Sequence, residues 1–202
     1  MEIEQHIREA FDACAKVRNE KAKLYGNAWR VAHFYTLVNM IRYKMGSVAP
    51  YEGEDLDQQR EVFTAAYNYA LFAFVQYCNC PEELHVLKEE EPYIAEAVAG
   101  LDSEVRELVA QRSAEYGDAW MCCPLFCLSD TIDIKIARIS HLYFRATKDE
   151  ECSTAILDAL RDIAGYTILC RARVEMLRRK VSAAVENFNA APNNATTQIP
   201  KQ

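Results

Sequence analysis

At 202 residues, half of them apolar, the chain is long enough to bury one sizeable core and falls in the size range of a single domain. A formal net charge of −7 opposes a broad electrostatic surface for nucleic acid and leaves room only for a local basic patch. The eight cysteines read as small buried apolar residues, because Cys78-x-Cys80 and Cys122-Cys123-x-x-x-Cys127 lack the paired spacing of a zinc site and a chain this long needs no disulfide framework.

Taken in order, Ile7, Ala10, Phe11, Cys14 and Val17 recur at helical spacing and predict a first helix over residues 3–23. Tyr25-Gly26 ends it, since glycine tolerates the backbone angles of a helix stop. Leu37, Met40, Ile41 and Met45 mark a second helix, and residues 46–55, with Pro50 and Gly53, form a loop. A third helix spans about residues 58–77 and is apolar on most of its circumference, which places it in the middle of the body. Pro81-Glu82-Glu83 opens a short connecting helix. Pro92 opens another, Gly100 is expected to stop it, and Asp102 to cap the segment that runs to Ala114. A helix over 125–144, a polar loop around Lys148-Asp149-Glu150 and a long helix over 153–186 follow; the tail from Ala190 is polar and is expected to be disordered.

Tyr116-Gly117-Asp118-Ala119-Trp120 repeats Tyr25-Gly26-Asn27-Ala28-Trp29 at a distance of 91 residues. The match runs on without a gap, through Leu37 and Leu128, Ile41 and Ile132, Lys44 and Lys135, giving seven identities over 24 positions. Chance at roughly one in 20 per site gives one or two, so the chain reads as a tandem duplication. The copies are 1–80 and 92–187, joined by a connecting helix at 81–91 and followed by a tail at 188–202. With no sustained period-two alternation, the fold class is all-α, a helical bundle whose two repeats are related by a pseudo-twofold axis.

Asp158 and Asp162 are four apart and project from one helix face; Asp130 and Asp133 are three apart on the preceding helix. If those helices are antiparallel neighbours, four carboxylates would converge on Mg²⁺, with Lys135 or Arg138 holding a phosphate. Such a cluster favours hydrolysis of a phosphoanhydride, the metal polarising phosphorus and a carboxylate, Asp158 or Asp162, activating water. The same acids are also what solvated helix faces and ordinary ion pairs look like. Tyr116, Asp118 and Trp120 have two readings as well, a packed helix corner or a pocket in which the indole stacks on a base. The cations from Arg171 to Lys180 suit a helix carboxyl end, with a phosphate-binding stripe as the minority alternative. His33 and His141, without a partner at ligand spacing, read as structural.

The corners, with Lys135-Ile136-Ala137-Arg138-Ile139 after the second and Tyr67-Asn68-Tyr69-Ala70 on the third helix, resemble the signature of the nucleotide modification associated domain 1 family. That family's association is with DNA-base modification and phage nucleotide metabolism, and its acid pattern is similar to that of MazG-like all-α nucleotide pyrophosphohydrolases. The first copy departs from the pattern: Asn39 stands opposite Asp130, Arg42 opposite Asp133, and Ala65 opposite Asp162 when Tyr69 is aligned with Tyr166, leaving Glu61 opposite Asp158. The second copy has Met121 opposite Arg30 and Gly165 opposite Asn68. The resemblance therefore implies a site whose acids come from the second copy and which Arg30, Lys44 or Asn68 of the first completes. The leading expectation is a cytoplasmic protein that hydrolyses or binds a nucleoside triphosphate or modified nucleotide with Mg²⁺. The alternative is a non-catalytic nucleotide-sequestering or protein-interaction module. A homodimer is expected by analogy, DNA is a third possible partner through the Arg171–Lys180 stripe, and no apolar run is long enough for a membrane span.

Overall fold

The computed structural model describes residues 2–48, 53–79, 91–145 and 150–190. These residues form six α-helices and no strand: α1 (Glu2–Tyr25), α2 (Phe34–Met45), α3 (Leu56–Cys78), α4 (Glu91–Tyr116), α5 (Leu125–Arg145) and α6 (Glu150–Ala190). A single 3-10 turn follows each corner, at Ala28–Val31 and Ala119–Cys122, so the order helix, corner, turn, helix, helix occurs twice. The class is all-α. The proposed connecting helix at Pro81–Glu83 and the tail beyond Ala190 lie outside the described residues.

The helices follow from their apolar stripes. Ile7, Ala10, Phe11 and Cys14 bury one face of α1; Leu37, Val38, Ile41 and Met45 do the same for α2. Asp55 starts α3 from a left-handed conformation (φ 39°), and its carboxylate accepts from the Gln58 amide at 3.2 Å. As its composition predicts, α3 is buried on most sides, at Val62, Phe63, Ala66, Tyr67, Ala70 and Leu71. It packs along α6, and this pair is the spine of the body. α2 lies on α3, α5 lies on α6, α1 and α4 each touch both spine helices, and α2 meets α5. Beyond Val174 the core ends; Val181, Val185 and Phe188 on the last turns of α6 are exposed.

Both corner glycines take left-handed angles, Gly26 at φ 56° and Gly117 at φ 59°, where a side chain is disfavoured. Gly26 closes α1 with its amide donating to the Ala22 carbonyl at 2.8 Å.

Three expectations change. Gly100 does not stop a helix: α4 runs through it, since Ile94, Val98, Leu101, Val105 and Val109 form one unbroken buried stripe. That packing outweighs the ~1 kcal/mol cost of one helical glycine. Asp102 is accordingly no cap but a buried acceptor inside α4. Of the seven described cysteines, only Cys14 and Cys170 are buried, while Cys78, Cys122 and Cys123 are exposed. No helix among the described residues is long and apolar enough to cross a membrane.

Candidate functional site

A cavity of about 800 Å³ opens beside the first corner. Its walls are the carboxyl-terminal half of α1, the Tyr25–Trp29 corner, Lys44 near the end of α2, the Arg60–Phe72 stretch of α3, and Ala95, Val98 and Ala99 of α4, with Arg171 reaching in from α6. Its size is that of small-molecule sites, roughly 300–1,000 Å³.

One wall is aromatic because the corner folds its indole back onto α3. Trp29 stacks on Phe72 with centroids 4.6 Å apart and planes at 6°, and Tyr69 meets Phe72 edge-on at 6.4 Å. The rest is strongly cationic. Lys16, Arg18, Lys21, Lys44, Arg60 and Arg171 line the cavity against two carboxylates, Glu20 and Glu61, in a chain whose net charge is −7. Four of these cations are paired, Lys16 with Glu20, Arg18 with Asp102, Arg60 with Asp57 and Arg171 with Glu175, so the charge on offer to an anion is that of Lys21 and Lys44.

Several of these groups are held in place from behind. Arg171 is buried; its Nε donates to Thr64 Oγ1 at 3.2 Å and its Nη1 to Glu175 at 3.3 Å. Burial pulls its guanidinium below the ordinary arginine value, with Arg60 adding to this and Cys14 and Glu175 opposing it. Arg18 donates to Asn68 Oδ1 at 3.2 Å and to Asp102 Oδ1 at 3.0 Å. Asp102 also accepts from the Tyr67 hydroxyl at 2.9 Å and from Arg106 Nε at 2.8 Å, so its buried carboxylate is fully compensated. The Asn68 amide donates to the Cys14 carbonyl at 3.2 Å and thereby ties α3 to α1. Lys16 reaches Glu20 at 4.0 Å and Arg60 reaches Asp57 at 3.5 Å. Lys21 and Lys44, by contrast, have no ion pair among the described residues; Lys44 lies 5.9 Å from the Tyr43 ring centroid.

The acids proposed for metal are not brought together: among the described residues no three of His, Cys, Asp or Glu group as a metal would need. Each acid has its own surroundings instead. Asp162 accepts from Arg112 Nη2 and from Lys135 Nζ, both at 2.7 Å. Burial of this carboxyl acts to raise its pKa, but the bonds from Lys135 and Arg112 outweigh it and hold the group below the usual carboxylate range. Asp158 is exposed and accepts from Arg161 at 3.3 Å. Asp130 and Asp133 are exposed on α5; partial burial and then Asp130 push the Asp133 carboxyl up, against the pull of Arg42.

The remaining candidates divide. Lys44 and Asn68 line the cavity. Arg30 does not: it is buried and donates to Gln76 Oε1 at 2.5 Å and to the Asn79 carbonyl at 2.8 Å, so it ties the corner to the end of α3. Lys135 is committed to Asp162, and Arg138 is exposed. At the second corner Tyr116 and Asp118 are exposed, and Trp120 packs on the core; none lines the cavity, whose corner residues are Tyr25, Asn27 and Trp29. Of the basic stripe, Arg173 donates to the Met121 carbonyl at 2.5 Å, Arg178 pairs with Asp57 at 3.0 Å and Arg179 with Glu9 at 2.6 Å. Each of these three side chains is bonded or paired within the protein.

The sequence reading missed Trp29, Lys21, Arg60 and Thr64 as site residues. The available signal was the run of cations on α1 at 16, 18 and 21, which an apolar-periodicity reading passes over. No curated protein and no solved structure matches the chain. Residues 112–174, from the last turns of α4 through α5 to the middle of α6, match the sequence profile of nucleotide modification associated domain 1.

Proposed function

We infer that this chain binds a nucleotide in the cavity beside the first corner, as a nucleotide-binding or sequestering protein. The observation that carries the reading is an aromatic wall on the same cavity as six cations, of which Lys21 and Lys44 have no ion pair among the described residues. Trp29, Phe72 and Tyr69 offer π-faces to a base, and the cations offer charge-assisted hydrogen bonds to its phosphates. The profile match on residues 112–174 suggests a nucleotide-related function, and of the cavity lining it contains Arg171 alone. The repeated order of elements and the identities at 91 residues support the inference that the two halves are duplicates in which one half has kept the cavity.

Hydrolysis with Mg²⁺, the other function suggested by the sequence, draws less support. The cavity's donors are two carboxylates among six cations, and the acids of the second half are paired or exposed, a set that does not fit a resident divalent ion. The test is calorimetric titration with ribo- and deoxyribonucleoside triphosphates, modified pyrimidines included, for the native protein and Lys44→Ala. Saturable binding is the predicted result, weakened roughly 10-fold or more in Lys44→Ala, in line with ~1.5–3 kcal/mol for a hydrogen bond to a charged group. A folded native protein that binds no nucleotide would exclude this function.

A further inference from the structure

The second half shows what the first half lacks. At the offset of 91 residues Lys21 stands opposite Arg112 and Lys44 opposite Lys135; on the helix that follows, aligning Tyr69 with Tyr166 sets Ala65 opposite Asp162. In the second half these three positions form a closed unit. One carboxylate bridges two cations, Oδ1 to Arg112 and Oδ2 to Lys135, each at 2.7 Å, with the Asp162 side chain only 17 % exposed. In the first half the two cations are kept, the carboxylate is replaced by a methyl group, and all three residues line one cavity. Two ammonium groups on one cavity, with no ion pair among the described residues, each gain from an oxyanion that reaches them.

We propose that Lys21 and Lys44 form a phosphate-binding subsite in which a phosphoryl group of the ligand takes the place that the Asp162 carboxylate fills in the second half. A phosphoryl group presents two oxygens to two separate cations as a carboxylate does, and it carries the higher charge. The second half is then self-liganded: Asp162 satisfies its cations from within, so that half takes no external anion. This deepens the nucleotide reading by fixing which end of the ligand meets α1 and α2, with the base left to the aromatic wall at Trp29.

The test introduces the missing carboxylate. Inorganic tripolyphosphate and a nucleoside triphosphate are each titrated calorimetrically into the native protein, Ala65→Asp and the double variant Lys21→Ala/Lys44→Ala, with the melting temperature of each variant recorded. The native protein is expected to bind tripolyphosphate. Ala65→Asp should lose at least 10-fold in affinity for both ligands while its melting temperature holds or rises, because the new carboxylate pairs with Lys21 and Lys44. Should Ala65→Asp fail to fold, the double variant carries the same expectation of lost affinity. Unchanged tripolyphosphate affinity in the folded variants would overturn the subsite. The two readings fail separately: tripolyphosphate binding without any gain from a nucleoside leaves the subsite standing and removes the nucleotide, whereas nucleotide binding insensitive to Ala65→Asp removes the subsite and leaves the nucleotide.

Discussion

Asp162 shows at the residue scale how a carboxylate's neighbours decide its role. Spacing alone made it a metal ligand, one turn from Asp158 on the same face. Its partners lie far away in sequence, Arg112 on α4 and Lys135 on α5, and local periodicity carries no information on which helices meet. The two cations hold its folded-state carboxyl below the unfolded value of about 3.9. The sign follows: the stability it contributes is fully present above that unfolded value and is lost as pH falls through the depressed folded value. Melting temperatures of the native protein and Asp162→Asn, followed from pH 7 downward, should therefore differ by a constant amount until about pH 5 and converge in acid. A gap that widened on acidification would mean the carboxylate is not the ionised partner of Arg112 and Lys135. Asp102 carries the same lesson. A position following Gly100 looked like a cap, yet its carboxylate lies buried against Arg106 one turn on and against Tyr67 and Arg18, which are distant in sequence.

Elements were more legible than sites, because their stripes are local. The spacing of Ile7, Ala10, Phe11 and Cys14 placed α1, and the nearly all-apolar circumference of α3 placed it at the centre, where it packs along α6. The failure came at Gly100, where a weak local stop met a continuous buried stripe and the stripe prevailed. The corner glycines are another matter, since their backbone angles admit few alternatives. Gly117 sits at φ 59° with open space where a Cβ would go, so Gly117→Ala should cost ~1–2 kcal/mol through backbone conformation alone. Chemical denaturation measures this directly. A neutral or stabilising result would show that the second corner relaxes out of the left-handed region.

For the whole molecule, periodicity foretold the class but composition hid the charge distribution. A net −7 disfavours anions on average, and still six cations gather on one cavity because α1, α2, α3 and α6 each send residues to it. No single stretch of sequence contains that cluster. The two halves also differ in a way that identity counts obscure: Lys44 and Lys135 are the same residue, but one faces a cavity and the other a carboxylate. The chain's two tryptophans, Trp29 and Trp120, one in each half, give the most direct test of where the ligand sits. The measurement is steady-state fluorescence during nucleoside triphosphate titration of Trp120→Phe and of Trp29→Phe. The account predicts saturable change in Trp120→Phe, whose only indole is Trp29 on the cavity wall, and none in Trp29→Phe; saturable change confined to Trp29→Phe would place the ligand at the second corner and contradict it.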